Sequence, residues 1–495
     1  MNLVFKNRIK WRYVWSCCIV VMVLLSAGFF TSCKKDNLNT SAGVQFSADT
    51  LTFDTLFTSL GSTTKFFTIR NNQKDPVVIS SIQLASGVAS SYRINVDGDS
   101  GTVFRDIEIP AKDSIYVFVE VTVDPNAADL PFLIMDSLQF VTNGRRQQVI
   151  LQAYGQNAHF FNADSIENNT VWNNDLPYVI LNYLQIKPGA SLTINQGCTV
   201  YFGGGAAMIV EGDLTVNGTD TSNMVIFRGI RLDKDIADRP YDDFPGQYAG
   251  VFFLRNSTGT LRYLNMRNSA YGLNIGNIKA SSSAAENVAQ LQAMNLNNAP
   301  EVNIYNSRIY NHAFYGVFGF LGKVYAENSL FYSCGKNVLG IYNGGDYQFT
   351  NCTFYTRGSA YISHAKEPLF YMNNYFEYAP GQFIFADSSR ADFNNCILYG
   401  TLEEEIVGQD ASLNPHRIDL NFNHCIVKTA LNISNSIFNN CKKDDPQFLD
   451  VFKNKFQLKT SSPAVDFSGP VFTNDDIDGF AISGASRDCG AYEFQ

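Results

Sequence analysis

Five carboxylates crowd one stretch, "RLDKDIADRPYDDF" (231–244), which offers Asp233, Asp235, Asp238, Asp242 and Asp243 among Arg231, Lys234, Arg239 and Tyr241. Carboxylates at this density could supply the oxygen ligands of Ca²⁺, or hold sugar hydroxyls beside the Tyr241 ring. The spacing lacks the ligand pattern of an EF-hand loop, and the same composition suits a solvated insertion between two structural elements. Both readings stay open, and the candidate ligand-binding or calcium-binding residues are Asp233, Asp235, Tyr241, Asp242 and Asp243. The run Glu403, Glu404, Glu405 is weaker, because consecutive residues of a strand alternate faces and cannot converge on one ligand. His312, His364, His416 and His424 show no metal-ligand spacing, and no CxxC or Cys/His cluster occurs. No catalytic residue and no metal ligand is therefore assigned, and Ca²⁺ at the acidic loop is the one cofactor considered.

The elements that would position such a loop are written in a repeat. The pieces "YNSRI", "ENSLF", "TNCTF", "MNNYF" and "NNCIL" place Asn306, Asn328, Asn351, Asn373 and Asn395 at steps of 22, 23, 22 and 22 residues. "GASLTI" (189–194) and "EGDLTV" (211–216) are also 22 apart. That period is too short for a helical-pair solenoid and fits three short strands with turns, one coil of a parallel β-helix. An asparagine at a tight turn tolerates the left-handed backbone region, and stacked amides can donate to one neighbour and accept from the next. The residues that follow, Ser307, Ser329, Cys352, Asn374 and Cys396, are mostly small, as an inward position beside a turn requires. His424 takes the asparagine position in "NHCIV", and Asn435 resumes the ladder after an irregular step. The recurring aromatics of "YNHAFYGVFGF", "LFYMNNYFEY" and "GQFIF" would fill the coil interior, with any outward ones available as a platform for sugar rings.

Residues 44–157 read differently. "TTKFFTIRNN", "PVVISSIQL", "DSIYVFVEVTVDP", "MDSLQFVTN" and "QQVILQAYG" alternate apolar and polar residues between turn-rich joints. Such a series, without a helical stretch, indicates an antiparallel sandwich. Residues 1–32 are a processing segment: Lys6, Arg8, Lys10 and Arg12 precede the apolar run "YVWSCCIVVMVLLSAGFF" and small residues ahead of Cys33. Removing them takes away four positive charges and no negative ones, so the net charge moves from −9 to −13. A chain that acidic is a poor partner for nucleic acid, whose phosphates call for Lys and Arg. At 45% hydrophobic and 14% aromatic, it has ample material for two large cores. Seven cysteines follow Cys33, an odd number, and buried free thiols are the plainest reading of them.

Three resemblances attach to these stretches. "FTSC" resembles a bacterial lipobox, and "CKKDN" the start of many Bacteroidetes lipoproteins. This implies lipid attachment at Cys33, a tether over 33–43, and an outer-membrane, surface-exposed location. The sandwich resembles the abnormal-spindle/Hydin class of immunoglobulin-like domain, which implies a spacer or binding module. "LTINQGCTVYFGGGAAMIVEGDLTVNGT" and the ending "SRDCGAYEFQ" resemble right-handed β-helix surface proteins of pectate-lyase-like architecture, over 160–495. The expected fold is all-β: an immunoglobulin-like sandwich followed by a right-handed parallel β-helix with a C-terminal closing segment. The expected function is non-catalytic glycan or envelope-component binding along the β-helix flank. The alternatives are a lyase or hydrolase of acidic polysaccharide, and an adhesin or matrix protein. The expected partners are a membrane, through the lipid, and a polysaccharide. The sequence leaves the oligomeric state open.

Overall fold

The structure is a computed structural model that describes residues 43–125, 131–235, 237–277, 282–411, 413, 417–469, 475–482 and 486–495. Cys33, the processing segment, most of the tether and His416 lie outside the described residues. The described chain forms two compact units. The first comprises residues up to 53 with 60–123 and 133–153, and the second comprises 54–59, 124–132 and 154–495.

The first unit is an immunoglobulin-like β-sandwich with two five-stranded, largely antiparallel sheets. The alternation seen in sequence is realised strand by strand. In Ser114–Val121, Ile115, Val117, Val119 and Val121 are buried while Tyr116, Phe118 and Glu120 face out. Period-2 alternation puts one set on the core and leaves the other to solvent.

The second unit is a right-handed parallel β-helix. Its strands lie in a ten-stranded and a seventeen-stranded parallel sheet, the latter turning a corner so that each coil has three faces. Face one holds strands such as Ala207–Val210 and Gly250–Leu254, and face two Ser191–Asn195 and Asp213–Asn217. Face three holds Leu264–Arg267, Arg308–His312, Leu330–Cys334, Thr353–Thr356 and Ile397–Gly400. The 22-residue echo of "GASLTI" and "EGDLTV" is a direct register: Ser191 pairs with Asp213, Leu192 with Leu214 and Ile194 with Val216.

Equivalent residues stack through the interior. Phe349, Phe393, Phe422 and Phe438 form one column with centroid separations of 5.1, 4.9 and 5.2 Å, close to the ~4.8 Å strand spacing that the coils impose. Gly319 makes room for the buried Tyr347: a Cβ at that glycine would lie 2.1 Å from the Tyr347 hydroxyl.

The asparagine positions resolve into a shorter true ladder. Between faces two and three a single left-handed residue recurs: Tyr263, Asn306, Asn328, Asn351, Asn395, His424 and Asn440, with φ between 47° and 54°. After all but Tyr263 comes the small residue Ser307, Ser329, Cys352, Cys396, Cys425 or Cys441, and nearly all of these are buried. Several rungs couple to the next: the Ser307 amide donates to Ser329 Oγ at 3.1 Å, and the Cys352 and Cys396 amides donate to the sulfurs of Cys396 and Cys425 at 3.4 Å.

Two expected rungs are corrected. Asn373 ends the face-one strand Phe370–Asn373, opposite Gln409, and accepts from the Asn343 amide at 2.9 Å. This coil carries an inserted hairpin, Tyr375–Ala379 with Gln382–Phe385, so Asn351 and Asn395 are consecutive rungs 44 residues apart. Asn435 sits in a turn, bonded to Asn432, and Asn440 takes the rung.

The closing segment folds back along the outside of face three. Phe448, Phe456, Leu458, Ala464, Ile477, Ala491 and Tyr492 pack on the outward Leu330, Tyr332, Tyr355, Ile397 and Ile426. The ladder holds it there, since Asn306 and Asn328 donate to the carbonyls of Asp476 and Asp475 at 2.9 and 3.1 Å.

Candidate functional site

Face three presents an outward row that runs along the helix axis. Tyr201 pairs with Arg228, Arg267 with Tyr310, Tyr310 with Tyr332, Tyr332 with Tyr355, and Tyr355 with Tyr399. Tyr310 and Tyr332 lie ring on ring at 4.6 Å and 5°. The closing segment buries Tyr332 and Tyr355, whereas Tyr310 is left half-buried at the edge of a groove.

That groove, ≈ 350 Å³, is lined by Asp242, Asp243, Arg267, Tyr310, Asn311, Tyr332, Ser333, Arg357, Ser359, Ala360, Tyr361 and Asn454. Its floor is face three. Its walls are the acidic insertion, the 357–361 loop and the closing segment.

Asp242 anchors the insertion to the floor. Its carboxylate accepts from Arg267 Nε and Nη2 at 3.0 and 3.2 Å, from Arg228 Nη2 at 3.1 Å and from Asn268 Nδ2 at 3.1 Å. Burial pushes this carboxyl up, but the Arg267 hydrogen bond and the Arg267 and Arg228 charges outweigh it and hold it below the ordinary range. For Arg267 burial opposes the charge, and Tyr310 and Asp242 more than restore it. The Asp243 carbonyl accepts from Asn311 Nδ2 at 3.0 Å, and that nitrogen also reaches Asn268 Oδ1 at 2.8 Å. Asn268 and Asn311 both have positive φ, a second turn row that asparagine satisfies.

The other candidate acids are engaged inside the insertion. Arg231 forms two 2.6 Å hydrogen bonds to Asp233, and its guanidinium stacks 3.6 Å from the Tyr241 ring centroid. Arg239 Nε donates to Asp235 at 2.8 Å, and Lys234 pairs with Asp238 at 2.9 Å. The structure thus brings Asp242 and Asp243 into the groove and turns Asp233, Asp235 and Tyr241 to building its wall. Phe244 continues that wall, 4.4 Å from Tyr361. Among the described residues, no group of three or more His, Cys, Asp or Glu is arranged to hold a metal ion.

Sequence reading missed Arg267, Tyr310, Tyr332, Arg357 and Tyr361. A signal was present for the tyrosines: Tyr310, Tyr332, Tyr355 and Tyr399 each stand four residues after a ladder asparagine.

Glu404, Glu405, His312 and His364 are structural. Buried Glu405 accepts from His364 Nε2 at 2.9 Å and from the amides of Leu369 and Leu402 at 2.8 Å. Glu404 caps Thr429 and Ala430 at 3.0 Å. His312 is fully buried, with Nδ1 2.7 Å from Ser269 Oγ, and desolvation pushes its pKa down to about 3. On face two, Asn421 Nδ2 bonds Asp392 at 2.9 Å and Asp419 at 3.0 Å, two carboxylates from successive coils beside Arg390.

Outward aromatics also gather on face one. Tyr271 contacts Phe314 at 5.2 Å and stacks with Tyr315 at 5.9 Å, and Tyr342 lies 5.3 Å from Phe318 and 5.2 Å from Tyr371.

No family model and no curated protein matches the chain. Among solved structures, it is similar to the catalytic domain of a glycoside hydrolase family 87 α-1,3-glucanase in complex with nigerose. Identity there is 10%, over 73% of this chain and 81% of that one, with a TM-score of 0.19. A family 123 glycoside hydrolase from Clostridium perfringens matches at 10% identity over 24% of this chain and 30% of that chain, TM-score 0.18. A PapD-like domain of human CEP192 matches at 14% identity over 26% of this chain and 92% of that domain, TM-score 0.16. At TM-scores this low, none of the three carries a functional argument.

Proposed function

We propose that the chain is a saccharide-binding protein, anchored to the outer membrane through lipid on Cys33 and displayed at the cell surface. The observation that supports it best is the face-three groove. It unites a tyrosine floor, a second aromatic wall at Tyr361, the Arg267 and Arg357 guanidinium groups and the Asp242 and Asp243 carboxylates, drawn from segments far apart in sequence. Its volume lies in the range of small-ligand sites, and ring faces with converging donors and acceptors suit sugar hydroxyls. The acidic chain overall and the lipobox-like "FTSC" support display at a membrane without nucleic-acid contact. A glycan array probed with the mature protein, alongside the Tyr361→Ala variant, tests this. Binding that falls with Tyr361→Ala is expected, and an array without any bound glycan refutes it.

A second reading, cleavage of acidic polysaccharide, is favoured by the Asp392–Asp419 pair, because glycoside hydrolysis needs two carboxylates from neighbouring positions. Incubation with acidic polysaccharides, followed by unsaturated-sugar absorbance and by reducing ends, tests it. Product formation that Asp392→Asn abolishes would establish cleavage.

A further inference from the structure

The sandwich carries a feature that a mere spacer does not need. Three large aromatic side chains stand together on the outer face of one sheet: Phe66 is 50% exposed, Tyr116 48% and Phe118 38%. Phe66 and Phe118 are direct cross-strand partners, and Tyr116 is two residues from Phe118 on the same face. The rings form a closed triangle with centroids 5.6, 5.9 and 6.0 Å apart, and Tyr116 and Phe118 lie within 17° of parallel. Apolar rings left in water at the centre of a sheet lose the benefit of burial, and contiguous exposed patches of this kind mark binding surfaces.

Beside the triangle lies a concavity of ≈ 650 Å³ lined by Thr64, Arg93, Ile94, Asn95, Ser100, Gly101, Thr102, Phe118 and Glu120. Phe118 belongs to both the platform and the hollow. Asn95 stands directly opposite Phe118 on the next strand, and Glu120 opposite Arg93, so the polar groups adjoin the rings without a gap. One guanidinium and one carboxylate balance each other there. The other polar side chains of the lining are three hydroxyls, of Thr64, Ser100 and Thr102, and the Asn95 amide, which both donate and accept.

We infer that this sheet face is a second saccharide site, taking a neutral glycan whose ring faces lie on Phe66, Tyr116 and Phe118 while its hydroxyls bond into the Arg93–Asn95–Glu120 hollow. The charge balance selects against polyanions, whose recognition needs an excess of Lys and Arg. The abundance of hydroxyl and amide partners beside the rings selects for a hydroxylated ligand over an apolar protein or acyl surface. The site lies wholly within the sandwich and stands independently of the β-helix groove.

Affinity gel electrophoresis of the full mature chain tests it, with soluble β-glucan, xylan, mannan and α-glucan in the gel and polygalacturonate as the anionic control. Retardation by at least one neutral polymer, unchanged on raising salt, is expected. The Phe66→Ala/Tyr116→Ala double variant should weaken it about tenfold or more, as removal of aromatic anchors does. Phe66→Trp should preserve it, and all these proteins carry Tyr361→Ala as a common background so that the groove adds nothing to the retardation compared. Because both substituted rings are exposed, an unchanged melting temperature verifies the fold of the double variant. Retardation by none of the neutral polymers overturns the inference, as does retardation by polygalacturonate alone or retardation that the double variant keeps.

Discussion

Arg487 Nη2 donates to Asn328 Oδ1 at 2.9 Å, so a residue eight positions from the end of the chain closes on the turn of a coil 159 residues earlier. The same guanidinium reaches the Asp475 carbonyl, to which the Asn328 amide also donates. Arg487 is fully buried, which makes the ladder asparagines docking points for the closing segment as well as turn formers. Arg487→Ala should leave buried acceptors unmatched and cost on the order of 3 kcal/mol. Limited proteolysis should then cut within 440–495 before the coils; uniform resistance would show that the segment is held by its apolar contacts alone.

Asn395 makes the left-handed turn at φ 54°, accepts from the Gly469 amide at 2.8 Å and donates to Asn351 at 3.2 Å. Asn395→Ala loses both bonds and strains the turn, at about 2–3 kcal/mol, while Asn395→Gly relieves the strain and loses only the bonds. Asn373, with φ outside the left-handed region, should give no alanine–glycine difference in Asn395's direction. Denaturant unfolding of the four variants reads this out.

The contrast between these two asparagines also marks how far the sequence could be read. A repeat of 22 was legible because stacking forces equivalent residues into register, and the Leu192–Leu214 and Ile194–Val216 pairings bear that out. Asn373 misled because the 357–369 loop and the Tyr375–Phe385 hairpin together lengthen its coil to 44 residues, twice the usual step, so that an unrelated asparagine fell on the beat. The groove was half legible. Acidic density drew attention to Asp242 and Asp243, but local composition cannot reveal that Arg228 and Arg267 wait on the coils beneath, or that the closing segment supplies the far wall.

His312 gives a pH dependence of defined sign. Its pKa falls from the ordinary 6.5 to about 3 on folding because burial disfavours the cation. The unfolded chain therefore takes up a proton that the folded one refuses, and stability contributed by this site is full above about pH 6.5 and is lost as pH falls toward 3. The slope from this group alone is roughly 1.4 kcal/mol per pH unit. Unfolding measured from pH 7 to 4 should show it, and His312→Gln should flatten the curve by that amount.

Buried thiols in the coils should be inert. Desolvation pushes Cys198 up to about 11 and Cys334 up to about 12, and Cys334, Cys352, Cys396, Cys425 and Cys489 are inaccessible. Of the seven cysteines from Cys198 onward, Cys441 alone is half-buried, and the Cys425 hydrogen bond followed by burial pushes its thiol up as well, so even Cys441 should react only slowly with an aromatic disulfide reagent in the native protein. Because Ser307 and Ser329 fill the same column position, Cys396→Ser should fold with a loss of about 1 kcal/mol, whereas Cys396→Leu should cost more through overpacking.

Asp242 holds the wall of the face-three groove to its floor through Arg267, and the groove is proposed to bind saccharide. Titration calorimetry of the mature protein with the best glycan from an array, beside Asp242→Ala and Tyr361→Ala, tests it most directly. Measurable affinity is expected for the parent chain, with a loss of about tenfold or more in each variant and a modest fall in melting temperature for Asp242→Ala alone. Equal affinity in all three proteins would contradict it and place the binding surface elsewhere on the molecule.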